Sequence, residues 1–157
     1  MLKNLNFSGK TLLWGSAVLF LCACSTFYKP LHIDGVDAPY ALVRRVVMTS
    51  MPVGMRTASS NGREISSQYF LPKAKGYEDA ISKDVRFSAK VIILGAQRPY
   101  QLEVYVFREH RKNVQGRVEY ETVGQDLRLA NRLKTEIQTR LAQRREDLNI
   151  IDDFRVF

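Results

Sequence analysis

Between residues 85 and 94 the chain alternates with a period of two. Val85, Phe87, Ala89, Val91 and Ile93 fall on one side; Arg86, Ser88, Lys90, Ile92 and Leu94 fall on the other. Successive side chains on a strand point to opposite faces, so the pattern commits the run to a sheet and its first set to a core. Gly95 to Pro99 makes a turn, after which Leu102, Val104 and Val106 alternate with Gln101, Glu103, Tyr105 and Phe107 on a second strand. A polar link over His110 to Gly116 leads to a third strand, Arg117 to Val123, with Val118, Tyr120 and Thr122 on one side. Short links between successive strands predict an antiparallel meander. Ile92, Leu94, Tyr105 and Phe107 make its second face partly apolar, which calls for cover by the N-terminal strands, a partner or a ligand.

The other strong periodicity is helical. Leu129, Leu133, Ile137 and Leu141 recur every four residues, widened by Ala130 and Ala142, and predict an amphipathic helix from near Asp126 to about Asp147. Asp126 suits the positive end of its dipole, and Arg144 and Arg145 the negative end. Upstream, the β-branched stretch Ala41 to Met51 reads as a strand. Asn61-Gly62, between Met55–Ser60 and Arg63–Leu71, reads as a type I′ hairpin turn. Pro72 to Lys83 reads as a connector with one helical turn near Glu78 to Ile81, and Asn149 to Phe157 as a further strand. The expected fold is α+β: an antiparallel sheet, meander plus N-terminal hairpin, covered on one face by the long C-terminal amphipathic helix. With 157 residues, one domain is expected.

The start of the chain reads as an address. Lys3 and Lys10, with no acidic residue between Met1 and Lys10, precede the uncharged run Thr11 to Leu21. That is the layout of a secretory signal peptide, and eleven residues of helix reach only about 16 Å, short of a bilayer's hydrocarbon core. The junction Leu21-Cys22-Ala23-Cys24-Ser25 resembles the lipobox of bacterial lipoproteins, with Leu three residues before the Cys and a small residue just before it. The resemblance covers only the first sixth of the chain. It implies cleavage after Ala23 and lipid attachment to Cys24. With Ser25 next, in place of the Asp that signals inner-membrane retention, it implies the outer membrane of a Gram-negative cell, with the domain facing the periplasm. The chain then divides into a signal peptide (1–23), the lipidated Cys with a tether (24–40) and a single α+β domain (41–157). Cleavage removes two lysines, leaving 22 basic against 16 acidic residues, a net of +6. Such a surface favours anionic lipid, glycan or protein partners, and an anchored envelope protein does not meet chromosomal nucleic acid.

Chemistry is harder to find. His32 and His110 have no second ligand at metal spacing, and there is no Gly-x-Ser-x-Gly elbow, Walker loop or Gly-rich dinucleotide turn. Asp152-Asp153 reads as a solvated turn. Phe157 echoes the last residue of outer-membrane barrels, but Arg155 and Asp153 stand where a lipid-facing alternation needs apolar residues. No catalytic residue, metal ligand or cofactor is implied. The candidate contacts for an anionic partner are Arg108, Arg111, Lys112 and Arg117, bracketing the second meander turn, and Arg132 and Arg140 on the polar side of the helix. The expected function is that of a non-enzymatic accessory or assembly subunit binding another envelope component. The alternatives are a small-ligand carrier for lipid or glycan and, third, a hydrolase whose carboxylates converge only on folding.

Overall fold

The computed structural model describes residues 28–153, with side chains described as far as Arg144. The lipobox, Cys24 and the first part of the expected tether lie outside the described residues, as do residues 154–157. The fold is mixed α+β: an open, eight-stranded antiparallel sheet and two helices among the described residues.

The alternating runs form the centre of the sheet. β6 (Val85–Leu94) and β7 (Tyr100–Val114) pair continuously from Val85↔His110 to Leu94↔Gln101. Phe87, Ala89, Val91 and Ile93 are buried with Leu102, Val104 and Val106, as the period of two required. β7 is longer than its sequence pattern indicated, because His110 to Val114 continue the strand. Its turn into β8 (Arg117–Gln125) is only Gln115-Gly116, both with positive φ (52° and 81°), as a type I′ hairpin demands. At Asn61-Gly62, where that turn was expected, only Gly62 has positive φ. The hairpin of β2 (Met55–Ala58) and β3 (Glu64–Ser67) exists, but a wider loop closes it. There the Asn61 carboxamide oxygen accepts hydrogen bonds from the Ser59 hydroxyl (2.7 Å) and the Arg63 N–H (3.0 Å).

Three expectations are overturned. Ala41 to Met51 is not a strand: α1 (Tyr40–Ser50) is a helix that buries Val43, Val46, Val47 and Ser50. Those positions follow a helical spacing, and packing of that stripe outweighs the few tenths of a kcal/mol by which Val disfavours a helix. Pro52 cannot continue it. Nor is the segment before Ala41 wholly a tether, because β1 (Leu31–Val36) pairs antiparallel with β7, Leu31↔Val104 to Val36↔Tyr100. A bulge between Ile33 and Val36 breaks its alternation, so no periodicity shows in the sequence, although both residues are buried. Finally, Asn149 to Asp153 is not a strand, and Asp152-Asp153 is not a turn, since α2 (Leu127–Asp153) runs through both. The connector after Pro72 is also more ordered than expected: β4 (Phe70–Lys73) and β5 (Gly76–Asp79) form a second hairpin, which meets β6 at Phe70↔Phe87.

The long central strands are shared. β1 and β8 pair with the same side of β7, β1 on its first half and β8 on its second. β3 and β4 divide one side of β6 in the same way. α2 packs on β1, β7 and α1, and buries Leu129, Ala130, Leu133, Ile137 and Leu141. Its start is capped by the Asp126 carboxylate, which accepts the Leu129 N–H at 2.9 Å.

Candidate functional site

The six cations expected to meet an anionic partner fall into two groups that do not converge. Four lie along the β7–β8 arm, Arg108, Arg111 and Lys112 on β7 and Arg117 on β8 directly after the Gln115-Gly116 turn. Lys112 faces Glu119 across the ladder, and His110 faces Glu121. The Lys112 ammonium pairs with Glu121 at 3.3 Å and Arg111 with Asp84 at 3.4 Å. The arm is therefore a mixed-charge ladder, and among the described residues only Arg108 and Arg117 of this group stand without an ion pair. On α2, Arg132 lies over the Tyr77 ring, 4.8 Å from its centroid. Burial raises the Tyr77 phenol above its ordinary pKa and the nearby Glu136 charge adds to the rise, against the opposing pull of Arg132. Arg140 pairs with Glu136 at 2.8 Å and donates to the Thr49 carbonyl of α1 at 3.0 Å.

That last bond joins α2 to a helix whose two arginines were hidden by its reading as a strand. Arg44 and Arg45 are exposed on α1, which has no acidic residue. Over residues 127–144, α2 adds Arg128, Arg132, Lys134, Arg140 and Arg144 against Glu136 alone. α1 and residues 127–144 of α2 thus hold seven cations and one acid, a net of +6, whereas the rest of α2 to Asp153 adds Arg145 against Glu146, Asp147, Asp152 and Asp153. Shallow open grooves run along it, one lined by Tyr40, Arg44, Arg45 and Thr49, the next by Thr49, Arg140 and Arg144. Spacing of four on α1 carries the signal that could have revealed this surface.

The sequence also gave no warning of a buried arginine. Arg86 is 7% exposed, on the sheet face opposite the helices, with its guanidinium carbon 3.4 Å from the Tyr69 centroid and 3.3 Å from that of Tyr120. Its Nε and Nη2 donate to Glu109 Oε2 at 2.9 and 2.8 Å, and Nη1 donates to the Ile81 carbonyl at 3.1 Å. Ser88 donates to the other Glu109 oxygen at 3.0 Å, and the Tyr120 hydroxyl lies 3.1 and 3.2 Å from the Ile81 and Lys83 carbonyls. Every nitrogen of the guanidinium is engaged, so the cluster ties β8 and the β5–β6 loop to β6.

The rest of that face is half-buried and aromatic. Tyr105 stacks on Phe107 with centroids 5.8 Å apart, and its hydroxyl donates to Glu103 at 2.8 Å. Burial, then the hydrogen bond to Glu103 and the Glu103 charge, push the Tyr105 phenol up to about 12. Among the described residues no three His, Cys, Asp or Glu side chains gather as metal ligands, and no helix is long and apolar enough to cross a membrane. No protein family, curated protein or solved structure matches the chain.

Proposed function

We propose that this protein is an outer-membrane lipoprotein, anchored through lipid on Cys24, whose periplasmic domain docks by its helical layer onto an anionic envelope component. It acts there as a non-enzymatic accessory or assembly subunit. The observation that carries the docking surface is the segregation of charge: seven cations to one acid on α1 and residues 127–144 of α2. Surface cations need solvent, but solvation does not require so strong an excess of one sign, and a predominantly positive stretch steers anionic partners toward itself. The burial of Leu129, Leu133, Ile137 and Leu141, with Arg128, Arg132 and Thr139 exposed, supports an amphipathic α2 that turns its polar side outward. The anchor reading rests on Leu21, Ala23 and Cys24.

Two experiments test this. Cys24→Ser should leave an unprocessed precursor without lipid label, whereas Cys22→Ala should leave processing and labelling normal; label on the Cys24→Ser protein would exclude the anchor. Separately, Arg44→Glu and Arg45→Glu together should abolish capture of the partner from solubilised envelopes while leaving the thermal melt in place. Capture that survives both this double reversal and high salt would exclude the helical layer as the docking surface.

A further inference from the structure

The described chain begins fastened to one end of the domain. Tyr28 packs edge-on against Phe107 with ring centroids 5.1 Å apart, and the Gln125 carboxamide donates to the Lys29 carbonyl at 2.9 Å. Phe107 and Gln125 are partners across β7 and β8, and the Asp126 N–H donates to the Val106 carbonyl at 2.8 Å just before α2 begins. The surface at this junction combines apolar and cationic groups. Leu127 is 55% exposed and Val123 46%, and both line an open groove with Arg108. Lys29 and Arg128 are exposed in the flanking segments. The one acid in the groove, Asp126, is engaged in capping α2.

Tyr28 lies four positions after Cys24, a reach of at most about 14 Å when fully extended. We propose that the β8–α2 junction is a membrane-contact surface, with Val123 and Leu127 at the boundary of headgroups and acyl chains and Lys29, Arg108 and Arg128 on anionic phospholipid headgroups. The proposal rests on the lipid attachment at Cys24. Exposed aliphatic side chains ringed by Lys and Arg are the composition that settles at such an interface, and a second contact holds an acylated protein more firmly than its lipid alone. It also gives the domain an orientation. Val118, seven residues along β8 from Gln125, stands about 23 Å from the junction at the rise of a strand.

The test uses tryptophan as a depth probe. Trp14 is the sequence's one tryptophan. The full chain is therefore expressed with Trp14→Phe and either Leu127→Trp or Val118→Trp, purified from membranes and reconstituted into vesicles of phosphatidylethanolamine and phosphatidylglycerol with brominated acyl chains. Leu127→Trp should lose most of its emission relative to unbrominated vesicles, and Val118→Trp should keep its own. Adding Arg108→Glu and Arg128→Glu should restore much of the lost emission at position 127. Val123→Trp, at a neighbouring exposed site, replaces Leu127→Trp if the latter fails to fold. The mass of the N-terminal peptide reports the anchor separately. Acylated Cys24 with neither position 127 nor 123 quenched overturns the contact, as does quenching at 118 equal to that at 127. A peptide without acyl chains overturns the anchor, and with it the reach argument on which the contact rests.

Discussion

Arg86 shows how a residue that reads as a solvent-facing position can become the most constrained charge in a domain. In the period-two pattern it is simply the polar neighbour of Val85 and Phe87. Its partners Tyr69, Glu109 and Tyr120 arrive from three other segments. With both side chains of the pair nearly enclosed, Arg86→Met should leave Glu109 uncompensated and cost about 3–5 kcal/mol, read as a lower urea midpoint. Adding Glu109→Leu should recover much of that loss, because the desolvated carboxylate is then gone as well. Ser50 is the opposite case, a buried hydroxyl with no hydrogen-bond partner among the described residues. Ser50→Ala should therefore raise stability by about 1 kcal/mol, seen as a higher melting temperature. Tyr105 supplies a pH dependence. The folded chain holds the phenol proton more tightly than the unfolded chain, so its contribution is complete below the ordinary value of 10.0 and is lost as pH rises toward about 12. Melts across that interval should fall less steeply for Tyr105→Phe, with Tyr77 sustaining part of the remaining slope.

The elements divide by how local their signals are. β6, the first half of β7 and the stripe of α2 are legible because ten to fifteen residues carry the whole pattern. On α2, Leu133→Ala or Ile137→Ala should each cost about 2–5 kcal/mol, since both are fully buried mid-helix where a cavity cannot relax. Arg132→Glu and Arg140→Glu, which as plain surface changes would be nearly neutral, should instead cost about 1 kcal/mol through the lost Tyr77 and Thr49 contacts. Arg128→Glu should stay within about 0.5 kcal/mol, and urea titrations compare the three. α1 was hidden by composition: three valines in eleven residues suggest a strand, while their spacing with Ser50 describes a helix. β1 was hidden by its bulge. A chain beginning at Ala41 would lose Ile33 and Val36 from the core and expose the first half of β7, so its cooperative melt should disappear. A normal melt for that truncation would show that β1 is dispensable.

Across the whole molecule, charge and topology are organised by contacts distant in sequence. The positive layer unites Arg44 and Arg45 with cations some ninety positions later through the bond from Arg140 to Thr49. The expected basic cluster on the β7–β8 arm is diluted because β8 places Glu119 and Glu121 opposite it. Of the candidate surface, the α2 half could be read from the chain and the α1 half could not, for want of a correct helix there. The proposed anchor is tested at this scale too: a Cys24→Ser protein should fail to reach the outer membrane while the domain melts unchanged. The sequence alone determined the alternating strands, the α2 stripe and the basic excess, because side-chain period and charge are properties of neighbouring residues. Tertiary structure alone decided that β1 and β8 share β7, that Arg86 is enclosed by two tyrosines and a glutamate, and that two helices pool their arginines. Each depends on which distant segments pack together, and the lowest free energy there is set by filling a common core rather than by any local preference.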